Sequence, residues 1–384
     1  MLIECLMDAP YDYIYSDFVK SFENCNMIYK TKTTAKKYNA DFSRNLKIIT
    51  DKAAKDKENP KKSDWSKVDL VKSAEKFLTD YGMTAKEVKI LKENLSGKVV
   101  RKINSKNVEL PLGDKIYFLD TQYYKGKNKD KSKDEIQKSD AIILESKGKY
   151  AMIDTATEDQ SSKIVKYLKE LGIDELEFVV LTHAHMDHIG GYKSITENIK
   201  VKNVYLNKYT KKYKSANMVT MTKRMKNIVD ISKKKNITIK YINETKNQTI
   251  ELGNINMKLY NTNLKNVDDD NDNSIVALAT IKGKKIYFAA DIGGTLNESI
   301  SKQIGNVDIY KVSHHGVAGN NKKEAIQILK PKYAIITSFK ENRYATTINR
   351  LKESGTEDKN IYCTGNGMVI LNIDNSGSIQ FKQL

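Results

Sequence analysis

The sequence predicts a layered α+β fold, in which short buried strands are interleaved with amphipathic helices. Two observations carry this. From about Val108 onward, apolar runs bounded by turn residues recur along the chain, among them Lys115–Leu119 (KIYFL) and Phe178–Thr182 (FVVLT). Segments with helical spacing separate many of them, as expected when helices cover sheets. A third observation concerns function. The five histidines fall in only two short clusters, His183, His185 and His188, then His314 and His315.

Taken in order, residues 1–60 are irregular, and DKAAKDKENPKK (51–62) reads as a charged linker or frayed helix end. Residues 64–97 have helical periodicity broken at Gly82, with Thr84 suited to cap a second helix and Gly97 to close it. This pair reads as a helical cap or docking hairpin, since no basic recognition face marks it as a DNA-reading module. Strands are expected at Lys115–Leu119, Ala141–Glu145 and Tyr150–Ile153, and the lysine-rich Tyr123–Lys138 as a surface loop. A helix over Ser162–Leu171 ends at Gly172, and the strand Phe178–Thr182 runs into the first histidine cluster. Then follow a strand at Val201–Leu206 and a basic, Met-rich helix or helix pair over Tyr213–Lys235. Further strands are expected at Ile237–Ile242, Met257–Tyr260, Ser274–Ile281, Lys285–Ala289 and Asp308–Val312. Helices at Lys322–Leu329 and Thr346–Ser354 and strands at Tyr333–Thr337 and Met368–Ile373 complete the pattern.

Composition narrows the class. A chain of 384 residues allows one large or two modest domains, and its 39% hydrophobic content supports a sizeable core. No apolar run approaches the ~18–20 residues of a membrane span. Met1–Met7 is a poor signal peptide, which leaves a cytoplasmic protein or a processed secreted one. The 3 cysteines, Cys5, Cys25 and Cys363, are too scattered for a disulfide scaffold or a paired-cysteine zinc site. The net charge is +18, yet only five of the 66 basic residues are arginines. Such an excess fits either a solvated lysine surface or attraction to a polyanion, and it lacks the arginine that bidentate phosphate reading favours.

Thr182–Gly191 reads THAHMDHIGG. Imidazoles and carboxylates are suitable ligands for divalent metals. In an extended segment, side chains two residues apart share a side, so His183 and His185 can hold one ion together. After the turn, Asp187 and His188 can face a second. The paired glycines let backbone pass close by.

This motif resembles the signature of the metallo-β-lactamase fold. Asp154 in MIDTA resembles the family's aspartate that orients the metal loop, Asp291 in FAADIGG the metal-bridging aspartate, and His315 in KVSHHG the late histidine ligand. The resemblance runs from about Val108 to Leu384. It is closer to competence-type DNA-uptake proteins, through SDAIILESKGKYAMIDTA, NDNSIVAL and KPKYAIITSFKENRY. Phosphorylcholine esterases are a second relative. The resemblance implies a four-layer αββα metallo-β-lactamase sandwich (106–384) behind an N-terminal helical extension (1–105).

It also implies two divalent metals, zinc first, with manganese or iron as alternatives, and a metal-activated hydroxide that attacks the substrate. His183, His185 and Asp291 would hold one metal; Asp187, His188, Asp291 and His315 the other. Assigning His315 rather than His314 as the ligand follows the family's usual geometry. His314 would donate a proton to the leaving group, bind a phosphate oxygen, or pack behind the site. The family's third-motif histidine is absent, and Asp272 or Asn273 lies in that region. Asn273, Lys223 and Arg224 are candidate substrate contacts. The implied substrate is anionic: nucleic acid or a teichoic-acid-like polymer, cleaved as a phosphodiester. Two alternatives stand: a phosphorylcholine-esterase-like or other small-ester hydrolase, and a metal-poor member that binds a polyanion or a protein.

Overall fold

A computed structural model describes 98–384 apart from 126–134, 210–212, 214, 243–247, 261–268 and 340–343; before Lys98 it describes Thr84, Ala85, Lys89 and Glu93. Ala85, Lys89 and Glu93 are helical, within the second helix expected there, and the other expectations for 1–97 lie outside the described residues. By its contacts the chain divides into Met1–Val99 and Val100–Leu384.

Strand structure begins earlier than the sequence suggests, with β1 (Lys98–Ile103) and β2 (Lys106–Pro111) paired as a two-stranded sheet. The expected change at 105/106 falls at the turn between them. The first large sheet contains β3 (Asp114–Phe118), β6 (Ile142–Ser146), β7 (Lys149–Ile153), β8 (Glu175–Val180), β9 (Lys200–Leu206), β10 (Thr238–Tyr241), β18 (Val369–Ile373) and β19 (Ile379–Gln383). Their spatial order is β10-β9-β8-β7-β6-β3-β18-β19. The second contains β11 (Thr249–Leu252), β12 (Ile255–Tyr260), β13 (Val276–Ile281), β14 (Lys284–Phe288), β15 (Ile309–Lys311), β16 (Tyr333–Ile336) and β17 (Ile361–Cys363), side by side in chain order. The insertion expected as a loop carries strands at its described ends, β4 (Tyr123–Lys125) and β5 (Glu135–Gln137). They pair antiparallel, Tyr123 opposite Gln137, so backbone hydrogen bonds close the insertion at its base.

Among the described residues from 98 onward, the helices are α1 (Ser161–Glu170), α2 (Met186–Ile189), α3 (Tyr192–Asn198), α4 (Ala216–Lys234), α5 (Gly294–Ile304), α6 (Lys323–Leu329) and α7 (Ala345–Glu353). Strand alternation sorts the side chains into layers. Ile116, Phe118, Leu144, Ile153 and Phe178 of the first sheet meet Met257, Ala279, Ile286, Phe288 and Ile335 of the second in one buried core. On the second sheet's far face, Tyr287 and Tyr310 pack with Ile300, Ile326 and Leu351 from α5, α6 and α7. The result is the expected αββα sandwich. Helix α5 has little apolar signal in sequence because Asn297 and Ser301 share its buried face with Ile300 and Ile304. Among the described residues, no helix is long and apolar enough to cross a membrane.

Phe118 and Phe288 stack across the gap between the sheets, with ring centroids 6.2 Å apart. Phe288→Ala is expected to lower unfolding free energy by about 3–5 kcal/mol. Urea denaturation followed by circular dichroism measures this, and a loss below ~1 kcal/mol would contradict the packing.

Candidate metal centre

Each element of the site leaves a strand at the same edge of the sandwich. Asp154 follows β7, the His183–His188 loop follows β8, Asp291 follows β14, and His314 and His315 follow β15. To turn back over the sheet edge, the chain bends sharply. Asp154 (φ 57), Ala156 (φ 55), Ala290 (φ 46), His314 (φ 47) and His315 (φ 53) all adopt left-handed backbone without being glycine. Such residues cost roughly 1–3 kcal/mol each and persist only where surrounding contacts hold them. Here the contacts include Thr155 N to His188 O (2.6 Å), Ala156 N to Asp140 O (2.7 Å) and His314 N to Ala290 O (2.9 Å).

At the centre, Asp187, His188, Asp291 and His315 each offer a donor atom within 4.8 Å of the others. Asp291 Oδ2 lies 3.2 Å from His188 Nε2 and 3.4 Å from His315 Nε2. Asp187 Oδ2 lies 3.4 Å from His315 Nε2. The far nitrogens are fixed from behind. His188 Nδ1 donates to Asp154 Oδ2 at 2.7 Å, and His315 Nδ1 lies 3.0 Å from Thr337 Oγ1. Asp154 also accepts from the Thr182 amide (2.8 Å) and hydroxyl (2.7 Å), which ties it to the loop it orients.

Electrostatics fit a cation. Burial opposes charge on His188 and His315, yet Asp291 and the other nearby carboxylates outweigh it and hold both imidazoles well above their ordinary pKa. Burial likewise opposes charge on Asp291, but His315 and His188 hold it well below the usual carboxylate range. The cluster thus combines paired carboxylates and imidazoles. His188 Nε2, His315 Nε2 and Asp291 Oδ1 are buried and lack hydrogen-bond partners. Buried polar atoms left in this way need a further partner, and a divalent ion, displacing the two imidazole protons, suits this donor set.

The other expected residues are placed differently. His183 is fully buried, and its Nδ1 lies 3.1 Å from Thr182 Oγ1. That hydroxyl gives its proton to Asp154, so it accepts from His183 Nδ1–H and leaves Nε2 as the lone-pair nitrogen. Nε2 meets His185 Nδ1 at 3.0 Å, and His185 Nδ1 also lies 3.0 Å from Asn271 Oδ1. Among the described residues, His183 and His185 join no cluster of three or more metal-competent donors, unlike the other expected set. His314 is half-buried, its Nε2 3.6 Å from Asp291 Oδ2, and burial pushes its pKa down.

In the NDNS element Asn271 reaches His185, and Ser274 reaches His183, its Oγ 3.3 Å from Nδ1. Asn273 is 0% exposed and donates to Asp270 Oδ1 at 3.0 Å, so it braces the loop instead of facing substrate. Asp272 lies against Gly293, where an added Cβ would come within 2.2 Å of its Oδ1. Arg224 leans from α4 onto the metal loop, 3.5 Å from Ala184 O, while Lys223 is exposed on the same helix. Three residues that lie in segments carrying the resemblance, but that were not themselves expected at the site, complete the surroundings: Asp140, Lys311 and Thr337. The sequence signal for Lys311 is its charge at the end of the strand run DIYKV, directly before the second histidine cluster.

The metallo-beta-lactamase superfamily profile matches residues 137–337, more than half of the chain. The protein belongs to the metallo-β-lactamase superfamily, whose members are generally hydrolases. It is similar to ComE operon protein 3 of Bacillus subtilis (strain 168), 23% identical over 221 residues, which make up 57% of this chain and 26% of that one. The chain therefore spans about a quarter of that relative's length. Among solved structures it resembles the metallo-beta-lactamase fold protein YhfI from Bacillus subtilis (TM-score 0.43, 12% identity, 70% of this chain and 100% of that one). It also resembles CmlA, a diiron beta-hydroxylase from Streptomyces venezuelae (TM-score 0.42, 10% identity, 80% of this chain and 58% of that one).

Gly191 closes the metal loop where no side chain fits, since a Cβ there would come within 2.2 Å of Thr155 O. Gly319 has open space around it. Gly191→Ala is expected to cost about 1–3 kcal/mol through overpacking, and Gly319→Ala under ~1 kcal/mol. Equal melting temperatures for the two variants would contradict the close approach.

Proposed function

We propose that this protein is a dinuclear metal-dependent phosphodiesterase, most like a nuclease. The observation that carries this reading is the buried Asp187–His188–Asp291–His315 cluster with its unpartnered donor atoms. These four would hold one ion, and His183, His185 and Asp291 the other. Zinc suits this nitrogen and oxygen set, and manganese or iron is compatible with it. Bound there, divalent ions would supply Lewis-acid charge and lower the pKa of a water at the site.

The chain's own residues supply the rest. Asp154 and Thr337 hold the His188 and His315 rings from behind, so both Nε2 atoms face the reacting region. Asp187, with its side chain 33% exposed, reaches both that region and His315. His314 has a 30% exposed side chain beside Asp291, and burial favours its neutral form, which suits hydrogen-bonding a phosphate oxygen; as proton donor to a leaving alkoxide it would act from its imidazolium form. Arg224 and Lys223 on α4 add positive charge beside the metal loop, which favours a polyanionic substrate. A nucleic acid strand fits this reading, and a teichoic-acid-like polymer shares the chemistry. The likeness to competence-type DNA-uptake proteins favours the nucleic acid. The pairing of His185 with Asn271, an amide where a stronger ligand would serve, supports unequal affinities for the two ions.

With zinc or manganese added, the protein is expected to hydrolyse bis-p-nitrophenyl phosphate and single-stranded DNA. Chelation should abolish turnover, and returning the metal should restore it. Asp187→Ala should lower kcat by about 100-fold or more. Stoichiometric metal without turnover of DNA, RNA or the small diester would overturn the phosphodiesterase reading.

The double variant Lys223→Glu with Arg224→Glu tests the polymer. It is expected to raise KM for single-stranded DNA by about 10-fold at low salt, and less at high salt, while kcat on the small diester holds. An unchanged KM would remove α4 from the substrate path.

A further inference from the structure

Behind His315 lies a buried ion pair that no step of the proposed reaction uses. Lys311 is the last residue of β15 in the second sheet, and Asp140 stands just before β6 in the first. Both are 1% exposed, and the Lys311 ammonium donates to Asp140 Oδ2. Lys311 also approaches Ala290 O at 3.4 Å, next to Asp291. The other oxygen, Asp140 Oδ1, has no hydrogen-bond partner and lies 3.4 Å from His315 Nδ1. The Asp140 backbone is bound into the same loops: its amide donates to Asp187 O at 3.0 Å, and its carbonyl accepts from Ala156 N at 2.7 Å. Asp140, Asp154, Thr182 and Lys311 share the lining of a small cavity with core residues such as Ile142, Ile153 and Phe288.

We propose that Lys311 is a positioning residue of this site, acting through Asp140 to fix the His315 ring with Nδ1 protonated and Nε2 turned toward Asp187 and Asp291. The proposal rests on the metal-centre reading above. Thr337 is the nearer partner of His315 Nδ1, but a hydroxyl both donates and accepts, so it satisfies either imidazole tautomer. A carboxylate only accepts. Asp140 therefore selects the tautomer with the proton on Nδ1, which leaves Nε2 as the metal-facing lone pair. Lys311 contributes in two ways. By taking Oδ2 it turns Oδ1 toward the imidazole, and it compensates a carboxylate that would otherwise be buried unpaired. The pair also joins the two sheets at the level of the site. It thus links the position of His315, which comes from the second sheet, to the β6 end of the first.

The test is zinc affinity of the full chain, measured by competition with a chromophoric chelator, together with melting temperature. Lys311→Met and Asp140→Asn are each expected to weaken binding by about 10- to 100-fold, the range typical of residues that orient a metal ligand. Thr337→Val should weaken it by less than either. Because Lys311 acts through Asp140, the double variant should bind no more weakly than Asp140→Asn alone. In the zinc-loaded wild type, long-range proton–nitrogen spectra should show His315 with a protonated Nδ1, and in Asp140→Asn that signature should weaken or broaden.

Wild-type zinc affinity in a folded Lys311→Met, or fully additive losses in the double variant, would overturn the proposal. If Lys311→Met does not fold, Asp140→Asn decides: wild-type affinity there, or a larger loss in Thr337→Val, overturns it. A wild type that binds no zinc fails the metal reading and this proposal with it. A wild type that binds while both variants bind equally well fails this proposal alone.

Discussion

The site depends on placing two carboxylates, Asp187 and Asp291, against the same two imidazoles in a largely buried space. Two anions so close repel each other, and burial raises the cost of each charge. The arrangement holds because His188 and His315 sit between them, each anchored from behind. Asp154 fixes the first ring, and Thr337 with Asp140 borders the second. The cluster is electrostatically committed: removing either imidazole leaves buried carboxylates without compensation. The protein does not form this cluster from one motif. It brings the ends of β7, β8, β14 and β15 to a common edge, and the inter-sheet core keeps those ends in register.

The backbone at that edge is strained in a consistent way. Non-glycine residues in left-handed conformation occur at Asp154, Ala290, His314 and His315, each at or beside a site residue. A glycine would relieve the strain at any of them but would carry no side chain, and at three of the four the side chain is itself the functional group. Ala290 differs, since it turns the chain so that Asp291 faces inward. The cost of these turns is met by the core behind them, where Phe118 stacks on Phe288 and the β14 and β15 strands pair in parallel.

What the sequence revealed follows from covalent distance. His183, His185, Asp187 and His188 are close along the chain, so their spacing alone suggests a common centre. Asp291 and His315 became legible only through resemblance. Asp140, Lys311 and Thr337 lie within segments that carry the resemblance, but nothing in those segments marks them individually, and they meet only because the topology sets β6, β15 and β16 around one point. The NDNS element marks the limit of reading by motif. Its residues form a 3-10 turn from Asp270 to Asn273, and in so tight a turn each step swings the side chain to a new side. Asn273 therefore points into the loop while Asn271, two residues earlier, reaches His185. Helix α5 escaped for a different reason: the polar Asn297 and Ser301 share its buried face, so it shows no clear apolar period.

The two halves of the site differ in kind. On one side, Asp187, His188, Asp291 and His315 combine two anionic and two imidazole donors, with several atoms left without partners. On the other, His183 and His185 hydrogen-bond each other, and an Asn amide occupies His185 Nδ1. A neutral amide oxygen brings no charge, so this half lacks the carboxylate attraction that makes the first half cation-seeking, except through Asp291. Burial and the neighbouring His188 also push the His183 pKa well down, which keeps its Nε2 lone pair available without any metal to remove a proton. The first half carries the negative charge that attracts a cation, and the second is short of it. Asp291 stands at the boundary between them, within reach of His188, His314 and His315, and its single side chain sets how far the two halves act together.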